Sequence, residues 1–249
     1  GDYMLKQMEG VVLKSQPYGE THKLLKIFTK DAGIISAIAR GANKPKSRLS
    51  AVSQMFIRAN FLIYLTKGLS TVQQGQIVDS YRHIREDIVK TAYATYIIEL
   101  TDKILDTKQP DLYIYHELQQ TLAWINDQDD FYIPIMMYEL KIFEKGGFAP
   151  ILHRCVNCNR EESLHAFSIR EGGLLCTNCT PIDQAAVVLH KPILKLLPIL
   201  LSVPLQRVGN ISVKRENQQI IRKLLDHYYD QYGGFHLKSK RFLSQIDLL

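Results

Sequence analysis

No stretch of this sequence holds 18 consecutive apolar residues, so no helical membrane span is expected. It also lacks GxSxG, a Walker loop, HExxH, the kinase signature set and a Gly-rich dinucleotide fingerprint, which removes the catalytic classes built on those elements. The adjacent acids Asp129-Asp130 and Glu161-Glu162 are neighbours in sequence, in expected loops, rather than groups facing each other across a site. No internal repeat or low-complexity tract stands out. Hydrophobic residues at 46% and charged residues at 22% are ordinary for a globular chain, and 249 residues suffice for two or three small domains. No signal-peptide layout is present at the amino end. Gly1-Asp2-Tyr3 is read as an expression remnant ahead of a native start at Met4.

Cysteine is scarce, and its scarcity is informative. The only four cysteines form two pairs, Cys155-Val156-Asn157-Cys158 and Cys176-Thr177-Asn178-Cys179, with 17 residues between them. A CxxC turn aims two sulfurs at one point, and two such turns supply a tetrahedral zinc site. Two disulfides or four unrelated thiols are the alternatives, and the paired spacing favours one zinc held by Cys155, Cys158, Cys176 and Cys179. Four thiolates close the coordination sphere, so the ion is expected to be structural. A zinc deaminase would need H-x-E before P-C-x-x-C; Arg154 precedes Cys155, and no H-x-E occurs in the chain. His153 and His165 lie near the pairs and are read as surface residues. Paired thiols without a secretory signal place the chain in a reducing cytoplasm.

Acidic residues are missing from a second region. Between Ala32 and Val78 there are six Lys/Arg and no Asp or Glu in 47 residues. The whole-chain charge of +6 is therefore uneven: residues 1–80 carry 11 basic and 5 acidic side chains, 81–150 carry 7 and 12, and 151–249 carry 13 and 8. A basic head of this kind points to a polyanionic partner. Arg40, Lys44, Lys46 and Arg48 fall in one polar loop, with Arg58 and Lys67 beyond it. These six are the expected DNA contacts, since cations track phosphates while rings stack on bases. The rings at hand are Tyr18, Phe28, Phe56, Phe61 and Tyr64, most of them at strand positions that could equally be core.

Along the chain, strands are expected at Gly10–Lys14, His22–Thr29, Ile34–Ala39, Met55–Thr66 and Leu69–Val78. A turn signal at Gln16-Pro17-Tyr18-Gly19-Glu20 and a hairpin turn at Lys30–Gly33 separate the first three. Five short strands in about 75 residues suit a small closed barrel such as the OB-fold, although spacing does not separate it from an SH3-like barrel. After Tyr81 the period becomes helical. Ile84 through Leu105 read as one helix of about six turns, followed by a break at Lys108–Asp111 and helices over 112–125 and 132–144. The cysteine segment, about 149–182, follows with a hairpin turning at Gly172-Gly173. Helical periodicity resumes from Asp183, broken at Pro198 and Pro204, and a last helix spans 213–232 to Gly233-Gly234. The expected class is α+β: a barrel domain over 1–80, then a helical domain over 81–249 carrying a four-cysteine, zinc-ribbon-like insert. The tail cations Lys238, Lys240 and Arg241 form a possible anion or partner-peptide site beside Phe235 and Phe242. Lys214, Arg215, Arg222 and Lys223 are further cations on the helix before it.

In this order several short segments resemble the RecO family of bacterial recombination mediators over nearly the whole chain. They are Tyr18-Gly19-Glu20, Phe28-Thr29-Lys30-Asp31-Ala32-Gly33, Ala39-Arg40-Gly41-Ala42 with Lys46-Ser47, both CxxC pairs, and Leu237-Lys238-Ser239-Lys240-Arg241-Phe242-Leu243. The resemblance implies an OB-fold amino domain and a helical carboxyl domain. It also implies binding of single- and double-stranded DNA, annealing of complementary strands, and partnership with RecR. Through these the family helps load RecA onto DNA coated by single-stranded-DNA-binding protein, whose acidic, apolar C-terminal tail it contacts. Some members lack the cysteines, in keeping with a structural metal. The expectation is a non-enzymatic DNA-repair mediator in the cytoplasm, associated with the nucleoid and not with membranes. Alternatives are a zinc-dependent nucleic-acid-modifying enzyme that uses the barrel to hold substrate, and a zinc-ribbon transcription regulator.

Overall fold

The computed structural model describes residues 4–105, 109–209 and 211–246. Gly1-Asp2-Tyr3 and Lys108 of the expected helix break lie outside them. Two compact units emerge: one takes in the chain up to Gln128 and the segment from Leu237 onward, the other Asp129–His236.

The first unit begins with β1 (Met4–Tyr18), β2 (His22–Thr29), β3 (Gly33–Ala39), β4 (Arg58–Leu65) and β5 (Ser70–Asp79). They close into a barrel in the order β1-β2-β3-β5-β4, with β1 antiparallel to both β2 and β4. This is the five-stranded OB-fold. β1 is far longer than the expected Gly10–Lys14 because it serves two partners: residues 4–11 pair with β4 and residues 10–18 with β2. Gly10 sits in both ladders, and a Cβ there would lie 2.6 Å from Ile27 Cγ2 and 3.0 Å from the Phe28 carbonyl oxygen. Only glycine lets the strand pass that closely. The strand also runs through Pro17 and Tyr18, leaving Gly19–Thr21 as the turn; Pro17 is tolerated at a strand end, where its missing N–H costs little. Inside the barrel pack Val12, Leu25, Ile27, Ile57, Phe61, Ile63 and Val72, all buried, a core of ordinary apolar alternation.

Helices α1 (Arg82–Glu86), α2 (Ile88–Ile104) and α3 (Leu112–Asp127) follow. The single long helix expected over 84–105 is thus two. Asp87 adopts an extended backbone, and its carboxylate accepts from the Val89 and Lys90 N–H groups, so an N-cap interrupts the apolar period. Lys90, itself buried, donates through Nζ to the carbonyls of Ile125, Asn126 and Gln128 and so satisfies the end of α3.

In the second unit, α4 (Tyr132–Lys145) leads to β6 (Leu164–Ser168), β7 (Gly173–Cys176) and β8 (Val187–Val188), a sheet of order β7-β6-β8. Helices α5 (Lys191–Ser202) and α6 (Arg215–Tyr232) complete it. Residues 183–188 are not helical as expected. The Asp183 carboxylate accepts from Ser168 Oγ at 2.6 Å and from the Ala185 N–H at 2.9 Å, and the β-branched Val187-Val188 pair against Phe167 and Ala166. Pro198 does not break α5 either. Buried Ile193, Leu197 and Leu200 hold the helix across it, and Lys141 Nζ donates to the Leu200 and Leu201 carbonyls at the helix end. The carboxyl segment, back in the first unit, forms α7 (Lys238–Ile246), whose first N–H groups donate to the Glu99 carboxylate of α2.

Candidate metal centre and nucleic-acid interface

The β6–β7 hairpin brings the two CxxC pairs together, with its turn at Gly172 (φ +83°) as the glycine pair implies. Gly173 pairs with Ile151, and a Cβ on it would stand 2.3 Å from the Ile151 carbonyl oxygen. The Val156 N–H donates to the Leu174 carbonyl at 2.8 Å, which seats the first CxxC turn on β7. The four Sγ atoms all lie within 4.8 Å of one another, and Cys158 Sγ stands 3.8 Å from Cys176 Sγ. Disulfide sulfurs would be about 2.05 Å apart, so these thiols are unbridged. Around a tetrahedral ion with metal–sulfur bonds of about 2.3 Å, sulfurs sit about 3.8 Å apart. The donor set therefore fits a metal ion, and closes around it.

Electrostatics agree with that fit. Burial resists ionisation of Cys155, but backbone N–H groups of Cys158, Cys176 and Asn157 outweigh it and lower its thiol to about 6. The Asn157 amide favours a thiolate at Cys179, donating to its Sγ at 3.3 Å, yet the other three thiols crowd it and push it up to about 11. Four sulfurs this close cannot all ionise unless a cation joins them. Cys155, Cys176 and Cys179 are buried, and Cys158 is exposed. Little else fills the space: Leu175 is buried with the sulfurs, and Leu164 and Ala186 partly cover them.

The basic loop lies between β3 and β4. Arg40, Lys44, Lys46 and Arg48 are all exposed, as is Lys67 in the β4–β5 turn. The loop is more ordered than its composition suggests. N–H groups of Lys44, Ser47, Ser50 and Ser53 donate to the carbonyls of Gly41, Lys44, Ser47 and Ser50 respectively, a run of linked turns ending in the buried Val52. Its start is pinned to the β1–β2 turn: the Gly41 N–H donates to His22 Nδ1 at 2.8 Å, and the Asn43 N–H to the Thr21 carbonyl at 2.9 Å. β3 meets β5 only at Ala37–Ser70 and Ile38–Thr71. Beyond that pairing a groove of about 460 Å³ opens, lined by Arg40, Ser47, Arg48 and Leu49 on the loop and by Gln73, Gln74 and Gly75 among the β5 residues.

Arg58 does not join these cations. Its side chain is only 14% exposed and donates through a guanidinium N–H to the Glu9 carboxylate at 3.2 Å, so the charge is spent inside the unit. Of the five rings, Phe28, Phe56 and Phe61 are buried, Tyr64 is half-buried, and Tyr18 is exposed. Arg222 is likewise engaged, forking onto Glu139 at 2.6 Å for each bond and reaching Asp226 at 2.9 Å. On α7, Lys238, Arg241 and Phe242 are exposed on one helix face, and Lys240 is half-buried.

Two family models match the chain: Recombination protein O N terminal over residues 4–81, and Recombination protein O C terminal over residues 85–241. A DNA repair protein RecO from Oceanobacillus iheyensis is 52% identical over 98% of this chain and 95% of its own length. The RecO proteins of Bacillus cereus and Bacillus anthracis are each 42% identical over 98% of both chains. The chain belongs to the RecO family. That membership sets it among DNA repair and recombination proteins, and among the described residues no helix is long and apolar enough to cross a membrane.

Two polar features of this RecO-family chain escape sequence reasoning. Glu9 accepts from Tyr115 Oη at 2.7 Å and from Arg58 at 3.2 Å, and lies 3.3 Å from Lys30 Nζ, tying β1, β4 and the β2–β3 turn to α3. Burial works against its charge, but these three partners together hold the carboxyl below its ordinary range. His22 is the other, since nothing in its sequence neighbourhood signals that it would hold the basic loop.

Proposed function

We propose that this chain is a non-enzymatic recombination mediator that binds DNA through the basic loop of its barrel and anneals complementary strands. The observation that carries this is the loop itself: four exposed cations, with no acidic residue from Ala32 to Val78, held on the rim of an OB-fold. OB-folds bind oligonucleotides, and phosphate neutralisation supplies most of the affinity of sequence-independent binding. The barrel, about 1–80, is then the DNA domain, with Arg40, Lys44, Lys46, Arg48 and Lys67 as phosphate contacts. The helical remainder, about 81–249, carries the metal.

The four-sulfur centre is read as one structural zinc. Its cysteines close the coordination sphere and leave no position for a reacting water. Zinc there would neutralise crowded thiolates and fix a small sheet, and no step of strand pairing passes through it. The partners implied by the family are single- and double-stranded DNA, RecR, single-stranded-DNA-binding protein and, indirectly, RecA, in a nucleoid-associated cytoplasmic setting. The α7 face of Lys238, Arg241 and Phe242 suits an acidic tail with an apolar end, through charge pairing beside an exposed ring.

The reading is tested by mixing the full-length protein with two complementary labelled oligonucleotides. Faster annealing without added nucleotide, indifferent to base sequence, is expected. Strand cleavage, base modification or strict sequence dependence would favour an enzyme or a transcription regulator instead.

A further inference from the structure

The barrel's basic stretch holds cations but almost no accessible ring. Phe56 and Phe61 are buried and Tyr64 is half-buried, so this stretch offers no exposed ring for stacking on a base. Strand register supplies one. Tyr18 of β1 is directly opposite His22 of β2, Lys23 is opposite Ala39 at the end of β3, and the loop that begins with Arg40 is bonded to His22 through the Gly41 N–H. Directly opposed residues project to the same side of a sheet. In β2 that side is the outer one: Leu25 and Ile27 point into the core, while Lys26 reaches out to Asp102 at 2.7 Å. Tyr18 and His22 therefore share one outward row across β1 and β2, and the exposed Arg40 follows the last residue of β3. Tyr18 is 47% exposed, and the basic loop is fastened to the same row through the Gly41–His22 hydrogen bond.

We infer that Tyr18 is the base-stacking ring of the single-strand site, with Arg40 alongside for the adjoining phosphate. An OB-fold grips oligonucleotides across its second and third strands and the loops after its first and fourth. Tyr18 stands at the loop after the first, and Lys67 lies in the loop after the fourth. A single exposed ring there contacts the face of any base, which suits binding without sequence preference. This rests on the reading that the loop cations meet DNA phosphates, and the test separates the two.

Affinity of the full-length protein is measured for an oligothymidylate and for the same backbone carrying abasic sugars, which keeps the phosphates and removes the rings. The intact protein should prefer the base-bearing strand by roughly 5- to 150-fold, the worth of one stacked base. Tyr18→Leu should erase most of that preference and leave the salt dependence unchanged, while Tyr18→Phe should retain it. Matching circular dichroism and melting curves would establish that both variants fold. A Tyr18→Leu protein with the full preference overturns the inference. If Tyr18→Leu erases the preference but removing Lys44, Lys46 and Arg48 leaves the salt slope intact, the stacking role stands and the phosphate assignment to the loop falls.

Discussion

The barrel and the four-cysteine sheet are both small β structures, yet they solve the same problem differently. The barrel closes on itself and buries a row of branched and aromatic side chains, including Val12, Ile27, Ile57, Phe61 and Ile63. The sheet β7-β6-β8 ends in a two-residue strand and shares its apolar cover with a helix: Phe167 packs edge-on to Tyr228 of α6, and Leu175 is buried with the sulfurs. A structure with its own apolar core can display unbalanced charge on its rim, because its stability does not depend on those residues. A three-stranded sheet too small to enclose a core of its own leans on a neighbouring helix and on covalent or coordinate bonds. The barrel should therefore survive losing its surface chemistry, and the sulfur end of the sheet should not.

The largest effect that would sharpen this contrast is removal of the metal. Structural zinc contributes on the order of 10 kcal/mol in isolated finger peptides, and neighbouring helices should reduce that here. Cys155→Ser with Cys176→Ser should abolish metal content and expose residues 149–189 to hydrogen exchange. The barrel strands should keep wild-type protection. Loss of protection in β1–β5 as well would break the comparison.

Next in size is the Glu9 hub, where the barrel does rely on polar contacts. Its folded carboxyl lies below the ordinary range, so the stabilisation is present at neutral pH and is lost as pH falls through the folded value. Glu9→Gln should cost about 1.5–3 kcal/mol near pH 7, the range for hydrogen bonds to a charged group. The two proteins should converge in stability as pH falls through the lowered folded value of Glu9, below the ordinary carboxylate range. A gap that stays constant across the acid range would show that charge at Glu9 is not the cause.

How much of this was legible beforehand follows the same division. Spacing alone pointed to the four clustered cysteines, because a CxxC turn specifies geometry locally. Barrel strands were legible through alternation, and β2 was read to the residue at His22–Thr29. What failed depended on partners distant in sequence. Arg58 resembled a free cation until Glu9, on a different strand, was found against it. Arg222 was hidden in the same way by Glu139, 83 residues away. The split at Asp87 and the intact helix at Pro198 were local contests, won by a side-chain cap in one case and by apolar burial in the other.

A smaller effect concerns His22. Its Nδ1 accepts the Gly41 N–H, so His22→Leu should loosen the loop by about 1 kcal/mol and speed amide exchange at Gly41 and Asn43. His22→Asn, which offers an oxygen at a similar reach, should restore most of that protection. Equal loosening in both variants would mean that ring packing, rather than the hydrogen bond, holds the loop.

If the exposed loop cations meet DNA phosphates, a salt titration will read those contacts. Affinity for single-stranded DNA would be measured from low to high salt for the wild type and for Lys44→Ala, Lys46→Ala, Arg48→Ala combined. Each phosphate contact on a single strand contributes roughly 0.7 to the slope of log affinity against log salt. The triple variant should bind more weakly, flatten the slope by about 2 units, and do so for every base sequence, while its melting temperature stays unchanged. An unaltered slope with unaltered affinity would contradict the claim and move the DNA site off the barrel loop.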